Sequence, residues 1–356
     1  MFKLKCDDFL VYDESTGTYS MPADQQVRDQ TEKNRWKTIG WTILKDWRLY
    51  LMLVPMLVVY LLWRYMPMKE LLAAFKDGAD QAANGVVADQ RYFGFNNFIT
   101  LFATGGADIS GKFWPAFRNT FAIAFYNLLF GFPMPIILAL FFNEVRSNIT
   151  RSVIQVLVYL PKFLSTVIVT SIALLLLNAV GGEPGALSRL LSKFAPNSEV
   201  FQSAIKSGLF YQARYFRSLF VITELWEHAG YDSIVFFAAV IAVSPTSYEA
   251  AQIDGAGKMA QMRYVVIPSI LSTVVIMLIM KIGGLLSVGY EKVYLLYSTG
   301  NEATAQIVST LANSWNSASD TTSLGVAAEM ANNLIGMILV IGANTVARRA
   351  ADVSLY

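Results

Sequence analysis

The chain has 356 residues, of which 54% are hydrophobic and only 15% are charged, whereas soluble domains carry about 25% charged residues. A formal net charge of +2 is too small to indicate nucleic-acid binding. One cysteine, Cys6, excludes an internal disulfide, and with one histidine, His228, we expect no metal site. The composition therefore predicts a membrane protein.

Residues 1–46 are predicted to form a polar cytoplasmic extension, because the basic start "MFKLKCDDF" lacks the apolar run of a signal peptide. Six stretches then approach the roughly 20 apolar residues that a spanning helix needs. They are 47–66, 115–142, 153–178, 216–243, 268–288 and 324–346. The sequence predicts an all-α membrane protein with six transmembrane helices.

Long and short connecting segments alternate between these spans. Lysine and arginine are denser in the short segments and in the N-terminal extension than in the long segments. Since basic residues accumulate on the cytoplasmic side, both termini are predicted to be cytoplasmic. The predicted domains are the extension 1–46, a first helix with an extracellular loop at 47–110, and a core domain at 111–356 with five helices and a loop at 244–267.

The segment "GGADISGKF", residues 105–113, has the glycine and lysine spacing of a phosphate-binding loop. Phe113 stands where such a loop needs a magnesium-binding serine or threonine, and no apolar strand precedes it. We therefore expect no nucleotide site and no catalytic residues in this chain, and do not interpret it as an enzyme. If the protein uses the energy of ATP hydrolysis, the ATP must then be bound by another chain.

The loop between the fourth and fifth spans contains "SYEAAQIDGAGKMAQMRYVVIP", residues 247–268. Pro245 suits a first helical turn, and we expect Asp254 to cap the following helix. Gly255 can take backbone angles closed to other residues. Ala250 and Ala251 are small enough to let another surface approach closely. The loop is predicted to be a helix-turn-helix at the cytoplasmic face.

This loop resembles the EAA motif of ABC-importer permeases. The matching residues are Glu249, Ala250, Ala251, Asp254, Gly255, Ala256 and Pro268. In that family the loop is the coupling helix that docks into a cleft of the cytoplasmic ATPase. The segments "DWRLYLMLVP" and "KIGGLLSVGYEKVYLLY" are similar to permeases for complex oligosaccharides, and the resemblance runs from about residue 45 to the C-terminus. Glu227, His228 and Asp232 depart from the glutamine or glycine common in that group, which leaves the substrate open.

The resemblance implies a type I ABC-importer permease fold with a cytoplasmic coupling helix, in a bacterial cytoplasmic (inner) membrane. It implies uptake of oligosaccharides delivered by an extracellular solute-binding protein. The expected partners are a second, related but different permease chain, two cytoplasmic ATPase subunits and the lipid bilayer, with no nucleic acid. ATP and magnesium would be bound by the partner ATPase, and no cofactor is expected in this chain.

The fourth span is unusually polar for a membrane segment, where each charge costs a few kcal/mol. At about 100° per residue, its acids, His228 and Tyr231 fall within an arc of roughly 140°. Such a face could line an aqueous path, pack against a partner subunit, or relay protons. Lys281, in the fifth span, either pairs with one of these acids or faces the path. The candidate path residues are Glu224, Glu227, His228, Tyr231, Asp232, Lys281, Tyr290 and Glu291.

An alternative function follows from the same charged face of the fourth span. Carboxylates together with His228 would suit a proton-coupled secondary sugar transporter. The coupling loop and the lack of a visible internal repeat favour the ATP-driven importer instead.

Overall fold

The computed structural model describes residues 11–13, 18–20, 47–76, 94–102, 110–178, 183–194, 199–317 and 322–351. They fall into two compact units, Met1–Glu70 and Leu71–Tyr356. Most of the predicted N-terminal extension lies outside the described residues, as do residues 103–109 of the glycine-rich segment. The predicted domain boundaries after residues 46 and 110 stay predictions.

The first unit contains a short hairpin and most of the first apolar helix. Strands β1 (Val11–Asp13) and β2 (Thr18–Ser20) pair antiparallel, with Tyr12 opposite Tyr19. Helix α1 (Trp47–Tyr60) continues through a π-helical turn into a 3-10 helix that ends at Phe75. No residue of α1 is buried. Because its apolar side chains are exposed all round, this helix requires lipid or another chain around it.

The second unit is built from helices joined by short connections. Its helices are α2 (Asn96–Phe102), α3 (Ser110–Gly131), α4 (Pro133–Glu144), α5 (Asn148–Tyr159), α6 (Thr166–Leu177), α7 (Ala186–Phe194), α8 (Glu199–Ser207), α9 (Ala213–Ile241), α10 (Pro245–Ile253), α11 (Lys258–Gln261), α12 (Ile267–Gly283), α13 (Tyr290–Leu296), α14 (Glu302–Ala305), α15 (Val308–Asn316) and α16 (Thr322–Ala351).

The helices account for the predicted number of membrane crossings. Four segments are long and apolar enough to cross a bilayer: Trp47–Phe75, Gly111–Glu144, Lys258–Gly283 and Thr322–Arg349. Two further pairs of helices, α5 with α6 and α9 with α10, meet this standard only when each bent pair is counted as one span. The total is then six, and the prediction of a helical protein with six spans is confirmed.

The third predicted span differs from expectation, because it is two helices rather than one. The segments Asn148–Phe163 and Thr166–Leu177 meet at an angle of 101°. Pro161 is the second residue of the 3-10 turn Leu160–Phe163 that follows α5, and it has no N–H to continue a helical ladder. Ser165 then starts α6 by accepting a hydrogen bond from the Val167 N–H at 3.3 Å. The bend comes from these two local signals.

Helix α9 is the central helix of the second unit and packs against α3, α4 and α12. Phe216 and Phe220 on α9 are fully buried in a cluster with Phe210 and Val293. A Cβ atom added at Gly230 of α9 would overlap the carbonyl oxygen of Val158 in α5. These contacts fix the rotation of α9, and its polar face therefore points to one side.

Candidate substrate cavity and coupling loop

A cavity of about 580 Å³, which we call the charged cavity, lies beside the polar face of α9. Its wall contains seven of the eight predicted path residues: Glu224, Glu227, His228, Asp232, Lys281, Tyr290 and Glu291. Lys162, from the turn after α5, and Lys292 also line it. The volume lies within the roughly 300–1,000 Å³ of small-molecule sites. The charged cavity is therefore large enough for a small organic ligand.

Tyr231 is the one predicted path residue that is not among the lining residues. Its ring packs edge-on against Phe163, with the ring centroids 6.1 Å apart and the planes at 89°. Tyr231 therefore supports the bend between α5 and α6.

An ion cluster formed by Glu224, Glu227, His228 and Lys292 occupies one side of the charged cavity. The Lys292 Nζ lies 2.8 Å from Glu227 Oε2 and 3.1 Å from Glu224 Oε1. His228 Nδ1 lies 3.4 Å from the other Glu224 oxygen. The side chain of Lys292 is 2% exposed and that of Glu227 is 6% exposed. A buried ammonium thus neutralises much of the charge that two acids bring into the span.

Lys292 was missed as a site residue by the sequence analysis. It lies in the first turn of α13, 65 residues from Glu227. One signal was available, because two acids three residues apart on one helical face need a cation when they are buried. The carboxylates and His228 offer ligand atoms within 4.8 Å of one another, but a metal ion there would have to displace the Lys292 ammonium.

A weaker ion pair crosses the charged cavity farther along α9. Lys281 Nζ lies 3.5 Å from Asp232 Oδ2, and the two side chains are 44% and 32% exposed. Lys281 therefore both pairs with a fourth-span acid and lines the cavity. Each of Glu224, Glu227 and Asp232 therefore has a lysine ammonium within salt-bridge distance.

A second cavity of about 410 Å³, which we call the amide cavity, shares the segment 287–290 with the charged cavity. Its remaining lining residues come from two helices: Ser309 and Asn313 from α15, and Glu329, Asn332 and Asn333 from α16. The segment 287–290 follows the end of α12 at Gly283, which is five residues before the predicted end of the fifth span. The chain then resumes as α13 at Tyr290.

The loop after α9 forms the predicted helix-turn-helix. Helix α10 starts with Ser244 as N-cap and Pro245 in its first turn. At its end the Ala256 N–H donates to Ala251 O at 2.8 Å and the Gly255 N–H to Gln252 O at 3.0 Å. Gly255 has φ +77°. These two bonds around a left-handed glycine form a Schellman motif, which explains the glycine at this position.

One detail of the loop differs from expectation. Asp254 is the C-cap of α10, while Gly257 is the N-cap of α11, so the expectation that Asp254 caps the next helix is wrong. The side chain of Glu249 is exposed, as are those of Ala250 and Asp254. Ile253, which is 86% exposed, adds an apolar side chain to this outward surface. The loop therefore offers a free surface of acidic, small and apolar groups.

Up to six membrane crossings, polar cavities within the second unit and an exposed helix-turn-helix are the features of a membrane permease. Residues 131–350 match the family described as "Binding-protein-dependent transport system inner membrane component". The chain belongs to this family, and it is a multi-pass protein of the inner membrane. The resemblance to ABC-importer permeases is thereby confirmed.

Individual relatives support this membership along nearly the whole chain. The polygalacturonan/rhamnogalacturonan transport system permease protein YteP of Bacillus subtilis is 33% identical, over 96% of this chain and 99% of YteP. Protein LplB of the same organism is 32% identical, over 92% and 98%. A bacterial alginate ABC transporter, in complex with an alginate pentasaccharide-bound periplasmic protein, contains a chain with TM-score 0.75 and 32% identity that covers 90% of this chain.

Proposed function

We propose that this chain is the permease subunit of an ATP-driven importer that takes up oligosaccharides delivered by an extracellular solute-binding protein. The names of its relatives support the substrate class: polygalacturonan/rhamnogalacturonan for YteP, arabinooligosaccharides for the permease AraP of Bacillus subtilis, and alginate for the solved transporter. The charged cavity supplies four carboxylates, the amide of Asn127 and the ring of Tyr290, groups that suit sugar hydroxyls and a sugar face.

The proposal includes partners that supply what this chain lacks. Two cytoplasmic ATPase subunits bind ATP and magnesium, and the chain itself has no nucleotide site. A second, related permease chain completes the path, because one six-span chain forms half of it. Both termini are cytoplasmic. Closure of the ATPase pair on ATP moves the coupling loop, and the spans reopen toward the outside.

The observation that carries the proposal is the continuity of α9 with the coupling loop. The acids of the charged cavity lie on α9, and only residues 242–244 separate the end of α9 from α10. Helix α10 carries Glu249, Ala250 and Ala251, and the Schellman turn holds Asp254 and Gly255 in a defined position. A force on this turn therefore acts directly on the wall of the cavity.

The test compares two glycines of the loop, Gly255→Ala and Gly257→Ala, in the complete importer reconstituted in proteoliposomes. Neither added Cβ atom would meet another atom within 4 Å. Gly255 has φ +77° and Gly257 has φ −67°. Alanine at a left-handed position costs about 1–2 kcal/mol, so the native turn of Gly255→Ala is disfavoured by a factor of roughly 5–30.

We expect Gly255→Ala to lower sugar-stimulated ATP hydrolysis and uptake, while Gly257→Ala retains both. Co-purification of the ATPase with each variant shows that the complex is assembled. Sugar movement on a proton gradient, without an ATPase and regardless of Gly255, would contradict the proposal and favour the proton-coupled alternative.

A further inference from the structure

We propose that the amide cavity is a second sugar subsite, which binds one uncharged sugar unit of the transported oligosaccharide. The inference rests on the proposed function and names where a second part of the same substrate binds. The substrate then lies on both sides of the segment 287–290, with one part in the charged cavity and the next in the amide cavity.

The first support for this subsite is a buried polar group without a partner. Asn332 is 5% exposed, and its Nδ2 donates to Leu286 O at 3.2 Å. Its Oδ1 is buried and has no hydrogen-bond partner among the described residues. Buried polar atoms in native proteins are rarely left unpaired. Asn332 is one of the lining residues of the amide cavity, so the unpaired oxygen belongs to a residue of the cavity wall.

The second support is the spacing of the other polar groups. Ser309 and Asn313 are four residues apart on α15, and Glu329 and Asn333 are four residues apart on α16. Residues at this spacing share one face of a helix. Two helices, α15 and α16, thus turn a polar face toward one space, although both faces could have been apolar in a membrane protein.

The third support is the difference in charge between the two cavities. The wall of the charged cavity contains three lysines, whereas that of the amide cavity contains no lysine or arginine. Within the described part of the chain, no cation lies in salt-bridge range of Glu329. Three amides, one carboxyl and two serine hydroxyls can bind vicinal hydroxyls, but they offer no countercharge to an acidic sugar. Tyr290, on the shared wall, adds an aromatic face.

The experiment measures sugar binding to the complete importer in lipid nanodiscs by calorimetric titration, without the solute-binding protein. The probes are arabinose, oligogalacturonides and neutral arabino-oligosaccharides of two to four units. The variants are Asn333→Leu and Asn313→Leu, both at exposed positions on different helices. The control is Thr345→Leu, on α16 but in neither cavity.

In the wild-type importer we expect a second neutral unit to tighten binding about tenfold, which is the scale of one well-placed polar pair. Asn333→Leu and Asn313→Leu should each abolish this gain with length, while the Kd of arabinose stays the same. Thr345→Leu should bind all the probes as the wild type does. An equal loss at every length, or no loss, would overturn the second subsite.

A separate measurement distinguishes failure of the subsite from failure of the proposed function. ATP-driven uptake of these sugars by the wild-type importer with its solute-binding protein tests the function alone. Uptake without a length-dependent defect in the variants overturns only the subsite. Absence of ATP-driven uptake for every oligosaccharide overturns the proposed function, and the subsite with it.

Discussion

Replacement of Lys292 by methionine should destabilise the protein more than any other single lysine replacement around the charged cavity. The substitution keeps an unbranched side chain, one atom shorter, but leaves Glu227 and Glu224 without the ammonium at 2.8 and 3.1 Å. Breaking a buried ion pair on one side costs about 3–5 kcal/mol, because the remaining charge is uncompensated. Glu224 is 21% exposed and also neighbours His228, so we expect the lower end, about 3 kcal/mol.

The same substitution at Lys281 provides a matched control. The Lys281–Asp232 pair spans 3.5 Å, and its side chains are 44% and 32% exposed. Pairs at this exposure contribute about 0–1 kcal/mol. Lys281→Met should therefore cost at least 2 kcal/mol less than Lys292→Met, by the difference between these two ranges.

The assay is thermal unfolding of each purified variant in lipid nanodiscs at pH 7. The double variant Lys292→Met with Glu227→Gln should recover most of the lost stability, because it removes the more buried of the two uncompensated carboxylates and leaves only Glu224, which is 21% exposed and neighbours His228. Equal losses for Lys281→Met and Lys292→Met would refute the reasoning. So would a double variant that is less stable than Lys292→Met.

Two further predictions concern packing and pH. Gly230→Ala should lower the melting temperature, because the new methyl group overlaps the backbone of Val158 and such overpacking costs about 1–3 kcal/mol. The control Gly336→Ala should leave the melting temperature unchanged, because its added Cβ meets nothing within 4 Å. Equal shifts for the two variants would contradict this prediction. Burial, aided by Glu302, raises the pKa of Tyr297 from 10.0 to about 12. Its contribution to stability is therefore complete below pH 10 and lost as the pH rises toward 12. In pH-dependent unfolding, Tyr297→Phe should be less sensitive over this range, and an unchanged profile would count against it.

The parts of the fold that sequence analysis predicted depend on local signals. Pro245 and Gly255 set the start of α10 and the turn after it, and each acts through its own backbone preferences. The polar face of α9 was visible because charges in an apolar span stand out at helical spacing. Such features need no knowledge of which helices meet.

The parts that escaped prediction depend on contacts between distant segments. Lys292 joins the site only because α12 ends early at Gly283 and α13 turns back toward α9. The neighbours of Asn332 in the amide cavity come from three separate segments. Tyr231 shares the arc of the α9 acids but packs on Phe163, because helical periodicity does not say where the neighbouring helix bends.

Helix α9 is long enough that a small tilt about one end displaces residues far along it. Its 29 residues correspond to about 44 Å, and Glu224 lies roughly 26 Å from the end of the helix at Ile241. A tilt of about 5° pivoting at that end would carry Glu224 through roughly 2 Å. The gap to the Lys292 ammonium, 3.1 Å at rest, would then exceed salt-bridge range. A small tilt about the Ile241 end of α9 would thus be enough to make or break the charge contact at Glu224.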